Sequence, residues 1–189
     1  MVRRGAQRPP VTAAAARKSR PADASRFPDP HHDHEVCSAA ALDAAQTLCV
    51  SRQERLTPIR RQVLAIVWRG HQPVGAYAIL DEMRRAAGKN VAPPTVYRAL
   101  EFLQQQGFVH RIESLNAYLG CRNPGRPHAM QFMICHACKT AVELHDERIA
   151  EALMVATDQA GFTVHERVVE ISGLCARCAQ QRGASPAPA

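Results

Sequence analysis

The feature that most constrains this chain is a pair of Cys-x-x-Cys knuckles, Cys135 with Cys138 and Cys175 with Cys178. Each knuckle sets two sulfurs close enough to share one ion, and two knuckles complete a tetrahedral four-thiolate shell of the kind that holds structural zinc. The 36 residues between the knuckles exceed the usual zinc-ribbon spacing, so an intervening strand–helix–strand has to bring them together. A closed four-sulfur shell leaves no open position for a substrate, which argues for architecture and against catalysis. Ligand type alone also admits an iron–sulfur cluster. A redox dithiol would show one such motif beside a βαβ pattern, and that pattern is absent.

Seven cysteines cannot all pair in intramolecular disulfides. The Arg-rich start (Arg3, Arg4, Arg8, Arg17, Lys18, Arg20) has no apolar h-region, which excludes an ordinary secretory signal and leaves a basic disordered tail or an Arg-rich transit peptide. Clustered thiols then belong to a reducing compartment, with the cytoplasm expected. No stretch approaches the roughly 20 apolar residues that span a bilayer. Residues 1–30 carry +5 of the net charge of +7, so the folded body is near neutral and binds nucleic acid only through basic residues gathered on one face.

The chain reads as two small modules: a tail at 1–37, a helical module at 38–119, a hinge at 120–128, an α+β module at 129–180 and a second tail at 181–189. Within the first tail, His31-His32-Asp33-His34-Glu35 reads as a weak metal cluster or, given the ordering cost in a Pro-rich segment, as a solvated run. The first helix is expected over about 38–54. Thr57-Pro58 opens the second as N-cap and first-turn proline, with Ile59, Val63, Ile66 and Val67 at helical spacing. The third runs from Gly75 to Ala87. The fourth runs from Pro93-Pro94 to Gln106, with Val96, Leu100 and Leu103 inward and Tyr97, Arg98, Glu101 and Gln105 outward. Two short strands, 108–112 and 117–119, follow. Three helices and a β-hairpin are the pattern of a winged helix-turn-helix, although other small helical domains share the helices.

In the second module Met130, Phe132 and Ile134 alternate, as do Val142 and Leu144. A helix is expected over 146–160 with Ile149, Leu153 and Ala156 inward, then a long strand from Phe162 to Ile171. About 50 residues is too small a core to be comfortable alone, which suits a metal staple.

Two further constellations carry chemistry. His110, Cys121, His128 and Glu143 offer mixed sulfur, nitrogen and oxygen donors that suit zinc, and the thiolate disfavours hard ions. On the residues alone the same set reads as a surface histidine, a packed thiol and a solvated strand carboxylate. His145, two residues beyond Glu143, is an alternative ligand. The helix 94–106 presents backbone amides at its N-terminus to phosphate and Arg98 to a guanine edge. Arg60, Arg61, Arg84 and Arg85 add charge on neighbouring helices. An ordinary solvated helix face remains the other reading.

Leu56-Thr57-Pro58-x-Arg60, Pro94-Thr95-Val96-Tyr97-Arg98-Ala99-Leu100, Gly107-Phe108-Val109-His110 and both knuckles together resemble the ferric uptake regulator superfamily, most closely its zinc uptake regulator branch, over about residues 40–180. The resemblance implies an α+β chain: an N-terminal winged helix followed by a small dimerisation domain with a four-cysteine zinc site. It implies two zinc ions per chain, one structural and one regulatory at the hinge, and a homodimer that binds palindromic operator DNA and represses zinc-uptake genes. The branch's regulatory ligands map onto His110, Cys121, His128 and Glu143. Iron-sensing members carry a His-rich run before the first knuckle, whereas here Pro127-His128-Ala129-Met130-Gln131-Phe132 holds a single histidine. By the same resemblance Tyr77 and Arg98 contact DNA, on a surface shared with Thr95, Tyr97 and Arg60. Asp81 and Arg84 pair between two dimers on one operator. Sister regulators sensing iron, nickel, manganese or peroxide stand as the nearest alternative, ahead of a zinc-storage protein or a thiol-redox enzyme. The long N-terminal extension departs from the family pattern.

Overall fold

Local capping and apolar spacing set the N-terminal half, which the computed structural model describes together with most of the chain: residue 27 and residues 34–87, 91–126 and 128–183. Most of the predicted tail 1–37, including His31, His32 and Asp33, and the end 184–189 lie outside the described residues. Helix α1 spans His34–Ser51, beginning four residues before the expected start at 38, so His34, Glu35, Val36 and Cys37 are helical. The His34 ring lies 4.9 Å from that of His71. The helix stops short of the expected 54 because Gln53 takes a left-handed φ of 59° and the Glu54 amide reaches back to the Cys49 carbonyl at 2.8 Å, the six-to-one closure that ends many helices.

Helix α2 spans Pro58–Val67, with the Arg60 amide donating to the Thr57 hydroxyl at 3.4 Å. Val63, Leu64, Ile66 and Val67 are buried, while Ile59, placed on the same stripe by its spacing, sits in the first turn and is 41% exposed. Helices α3 (Ala76–Ala87) and α4 (Pro93–Gln105) close over α2 through Ile79, Leu80, Met83, Val96, Leu100 and Leu103.

Strands β2 (Val109–Ile112) and β3 (Ala117–Gly120) form the wing, joined by a 3-10 turn at Glu113–Leu115 that Asn116 closes at φ 46°. A two-residue strand, β1 (Val74–Gly75), adds to the β3 edge and had no signal in the sequence. Gly120 is required here by contact, since a Cβ would lie 2.4 Å from the Trp68 ring.

The C-terminal half is a second three-stranded sheet in the order β5-β4-β6. Strand β4 (Met130–Cys135) pairs antiparallel with β5 (Ala141–Glu143) and parallel with β6 (Val168–Gly173). The expected strand over 162–171 is thus shifted: only the segment lying alongside 130–135 finds ladder partners. Helix α5 (Glu147–Gln159) starts at its Asp146 cap as expected, but no residue of it is buried. Leu153 and Ala156, expected inward, are exposed, because their apolar stripe does not face this chain's own sheet. A short helix, α6 (Ala176–Gln181), carries the last cysteine.

The halves share a small core of Ile112 and Leu119 from the wing with Phe132, Ile134 and Ala141 from the second sheet. The Ala141 amide also donates to the His71 carbonyl at 3.0 Å, and Gln72 Nε2 to the Cys138 carbonyl at 2.9 Å. Among the described residues, no helix is long and apolar enough to cross a membrane.

Candidate metal centres

The end of β4 and the start of α6 bring the knuckles together. The Cys138 and Cys175 sulfurs lie 3.9 Å apart, and one ligand atom from each of the four cysteines lies within 4.8 Å of the others. A tetrahedral zinc ion with sulfurs at about 2.3 Å sets them about 3.8 Å apart, so the donor set fits. All four thiols are free. The knuckle backbone is shaped for thiolates: the Cys175 amide donates to Cys135 Sγ at 3.3 Å. Burial pushes the Cys135 thiol up, yet the amides of Cys138, Cys175 and Ala137 outweigh it and bring it to about 6. Cys178 moves the other way, to about 12, through its hydrogen bond with Cys175 and its burial. Four sulfurs this close ionise together only beside a cation.

The second cluster draws on separate elements. His110 comes from β2 and Cys121 from the residue after β3, where its amide donates to the Phe108 carbonyl at 2.9 Å. His128 leads into β4, and Glu143 ends β5. Their ligand atoms also lie within 4.8 Å of one another. His110 Nε2 is 3.1 Å from His128 Nε2 and 2.7 Å from Glu143 Oε1, and Cys121 Sγ is 3.6 Å from His128 Nε2. Donors around a tetrahedral zinc stand about 3.3–3.8 Å apart, so this set too has the right size.

Two details favour a cation there. A carbonyl only accepts, so His128 Nδ1, 2.7 Å from the Arg126 carbonyl, carries a proton, and in the neutral ring the Nε2 lone pair then faces the cluster. Glu143 Oε1 is cut off from solvent and no hydrogen bond reaches it with acceptable geometry, although His110 is close. Burial pushes the Glu143 carboxyl up, but the approach and charge of His110, the charge of His128 and the Arg122 amide hold it below the usual value. Cys121 is pushed up to about 12 by burial and by the Glu143 charge, so its thiolate form needs a bound cation.

His145 meets the other carboxylate oxygen, with Nε2 3.6 Å from Glu143 Oε2 and 3.2 Å from Asn123 Nδ2. His128 borders two surface clefts, one with Arg52 and Arg126, the other with His145 and Arg167. The supporting Arg122 amide, Arg126 carbonyl and Asn123 amide escaped the sequence reading. Main-chain groups leave no compositional trace, and Asn123 is an unremarkable loop residue until its neighbour is known.

The surface assigned to DNA is mixed. Tyr77, Tyr97 and Arg98 are exposed and Thr95 is half-buried. Arg60 is half-buried: its guanidinium lies over the Phe102 ring at 3.4 Å and donates to the Arg55 carbonyl at 2.6 Å. The expected free amides at the start of α4 are mostly missing. Pro93 and Pro94 carry none, and the Thr95 amide bonds the Ala92 carbonyl at 3.0 Å. Phosphate contacts there fall to side chains. Asp81 and Arg84 face each other along α3 at 4.0 Å.

With this geometry in hand, comparison with known proteins is decisive at the family level. A family model described as the ferric uptake regulator family matches residues 51–172. The chain belongs to the ferric uptake regulator family. It is 38% identical over 140 residues to the zinc uptake regulation protein of Escherichia coli K12, covering 74% of this chain and 81% of that one. Its identity to the zinc uptake regulation protein of Mycobacterium tuberculosis H37Rv is 32% over 107 residues, covering 54% and 78%. Among solved structures, a zinc uptake regulator complexed with zinc and DNA matches with a TM-score of 0.73 and 36% identity, over 77% of this chain and 97% of that chain. Holo XcZur matches with a TM-score of 0.68 and 42% identity, over 75% and 98%.

Proposed function

We propose that this chain is a zinc-responsive transcriptional regulator: a homodimer that binds palindromic operator DNA when its second metal site is filled, and so represses zinc-uptake genes. The reading makes it a cytoplasmic DNA-binding protein and not an enzyme. The observation that carries it is the origin of the four donors, which come from the wing, the hinge and the second sheet. Relatives named as zinc uptake regulators, and one solved with zinc and DNA, support it.

Zinc at this second site would supply a shared charge that lets thiolate, imidazole and carboxylate donors converge. His110 and Cys121 hold the DNA-binding half, while His128 and Glu143 hold the second sheet, so joining them fixes the angle between the halves. Moving such an equilibrium from 1:99 to 99:1 takes about 10⁴-fold preferential binding, roughly 5.5 kcal/mol. With the angle fixed, two α4 helices of a dimer present Tyr97 and Arg98 at half-site spacing. Tyr77, exposed on α3, is a further DNA contact on this reading, and Asp81 and Arg84 are the pair through which side-by-side dimers meet. Cys135, Cys138, Cys175 and Cys178 would hold the structural zinc.

The exposed apolar surface of the second half supports the dimer. Leu153, Met154 and Val155 on α5, Phe162, and Val168 and Ile171 on β6 are all exposed, an arrangement that a second copy would cover. Leu153→Asp is expected to shift the protein to monomer by light scattering while its far-ultraviolet spectrum stays native; an unchanged dimer would place the interface elsewhere.

The deciding experiment titrates promoter DNA binding against buffered Zn²⁺, Fe²⁺, Mn²⁺ and Ni²⁺, with metal content measured on the same samples. Two zinc per chain and activation by zinc alone are expected. Activation by iron or manganese with zinc inert would assign the chain to a sister sensor. Full zinc loading without DNA binding would make it a storage protein.

A further inference from the structure

One transverse row of the second sheet touches the wing at every position. Phe132 of β4 stands level with Glu143 of β5 on one side and Glu170 of β6 on the other, and level residues of neighbouring strands project to the same face. Glu143 Oε1 lies 2.7 Å from His110. The Phe132 ring lies 5.5 Å from the His110 ring and packs with Ile112 and Leu119. Glu170, at the far end, accepts the Glu113 amide on Oε1 at 2.6 Å and the Ser114 amide on Oε2 at 3.1 Å.

We propose that Glu170 is a positioning residue for the metal response: a second fastener that holds the wing in the orientation in which His110 completes the ligand set. The inference rests on the reading of that set as a zinc sensor. Glu170 belongs neither to the donor set nor to α4. It grips the two amides at the turn of the wing, three residues beyond His110, about 10 Å along the strand. A hairpin held only at His110 and by its packing on Phe132 is free to tilt at its turn, whereas one also gripped at the far end of the row is not. Ionised carboxylates accepting two amides make the stronger class of hydrogen bond. No other residue of β6 offers the wing a charged acceptor: its remaining side chains are two valines, an isoleucine and a serine. By linkage, whatever favours the docked wing tightens zinc and DNA together.

The test compares wild type, Glu170→Gln and Glu170→Ala in DNA-binding titrations against buffered Zn²⁺, with hydrogen exchange followed at residues 113 and 114. Glu170→Ala is expected to raise the zinc concentration for half-maximal DNA binding by roughly tenfold, the scale of one charge-assisted hydrogen bond. Glu170→Gln should fall between it and wild type. DNA affinity at saturating zinc and the tightly held first zinc should be unchanged, and the 113 and 114 amides should exchange faster in both variants. A midpoint within twofold of wild type, or an affinity lowered equally at every zinc level, overturns the proposal. If Glu170→Ala does not fold, Glu170→Gln decides by the same criteria. A wild-type protein that ignores zinc overturns the sensor reading itself, and this inference with it.

Discussion

Cys135→Ser will leave the N-terminal half folded and the C-terminal half unfolded and monomeric. The expectation follows from where apolar burial lies. Beyond the hinge, the buried apolar side chains among the described residues are Phe132, Ile134, Ala141 and Val142, together with cysteines of the knuckles. So little core cannot offset the ordering of some 50 residues at about 1–2 kcal/mol each for backbone alone. Structural zinc in small modules contributes on the order of 10–16 kcal/mol of apparent folding free energy, as large as the whole stability of an ordinary domain. Serine breaks the shell at its most buried sulfur, the one that also takes the Cys175 amide. The helical half has its own core around Leu64, Ile79, Met83 and Leu103 and should keep its thermal transition. Calorimetry with limited proteolysis would show a lost C-terminal transition and cleavage beyond residue 128. An intact, dimeric Cys135→Ser chain would remove the knuckles from the folding account.

The second large effect is opposite in kind: function goes and the fold stays. His110→Ala and Cys121→Ser are each expected to weaken the second zinc by more than about 100-fold, the upper end of what losing a mere outer-shell partner costs. Zinc stimulation of DNA binding should disappear. The protein should still carry one zinc per chain and remain dimeric, because the four-cysteine shell lies at the other end of β4. The variants differ in side effect. Removing His110 strips a partner from the buried Glu143 carboxylate, so some loss of thermal stability comes with it, whereas serine is close to Cys121 in size. A gel-shift titration in which His110→Ala responds fully to zinc would sink the assignment of the sensing site.

Much of this molecule was legible in advance, for reasons that can be given residue by residue. Thr57-Pro58 announced α2, Val96, Leu100 and Leu103 gave α4 its inward face, and the spacing of the knuckles required the sheet that joins them. The two ligand sets converge because each sits at a strand end, where topology confines position. What escaped depends on partners remote in sequence or outside the chain. Helix α5 has the period of a buried helix, but its stripe faces away from this chain's own core. Strand β6 is defined by its alignment with Met130–Cys135, which no local propensity encodes. The seat of Arg60 over Phe102 depends on a residue 42 positions away, which no local pattern announces. Pro93 and Pro94 start α4 well and, by the same chemistry, remove the amides expected to meet phosphate.

If the second donor set senses zinc as proposed, its burial bears on time as well as affinity. Cys121, Glu143 and His110 are 2%, 3% and 8% exposed; His128 borders two surface clefts, and Glu143 borders a small third one with Trp68 and Arg122. The segment carrying His128 turns through Gly125 at φ 87°. On the proposed reading, zinc exchange at this site is expected to be slower than diffusion through solvent, because three of its four donors have to be uncovered first. A dip in supply briefer than that exchange would leave an occupied site, and whatever it governs, undisturbed.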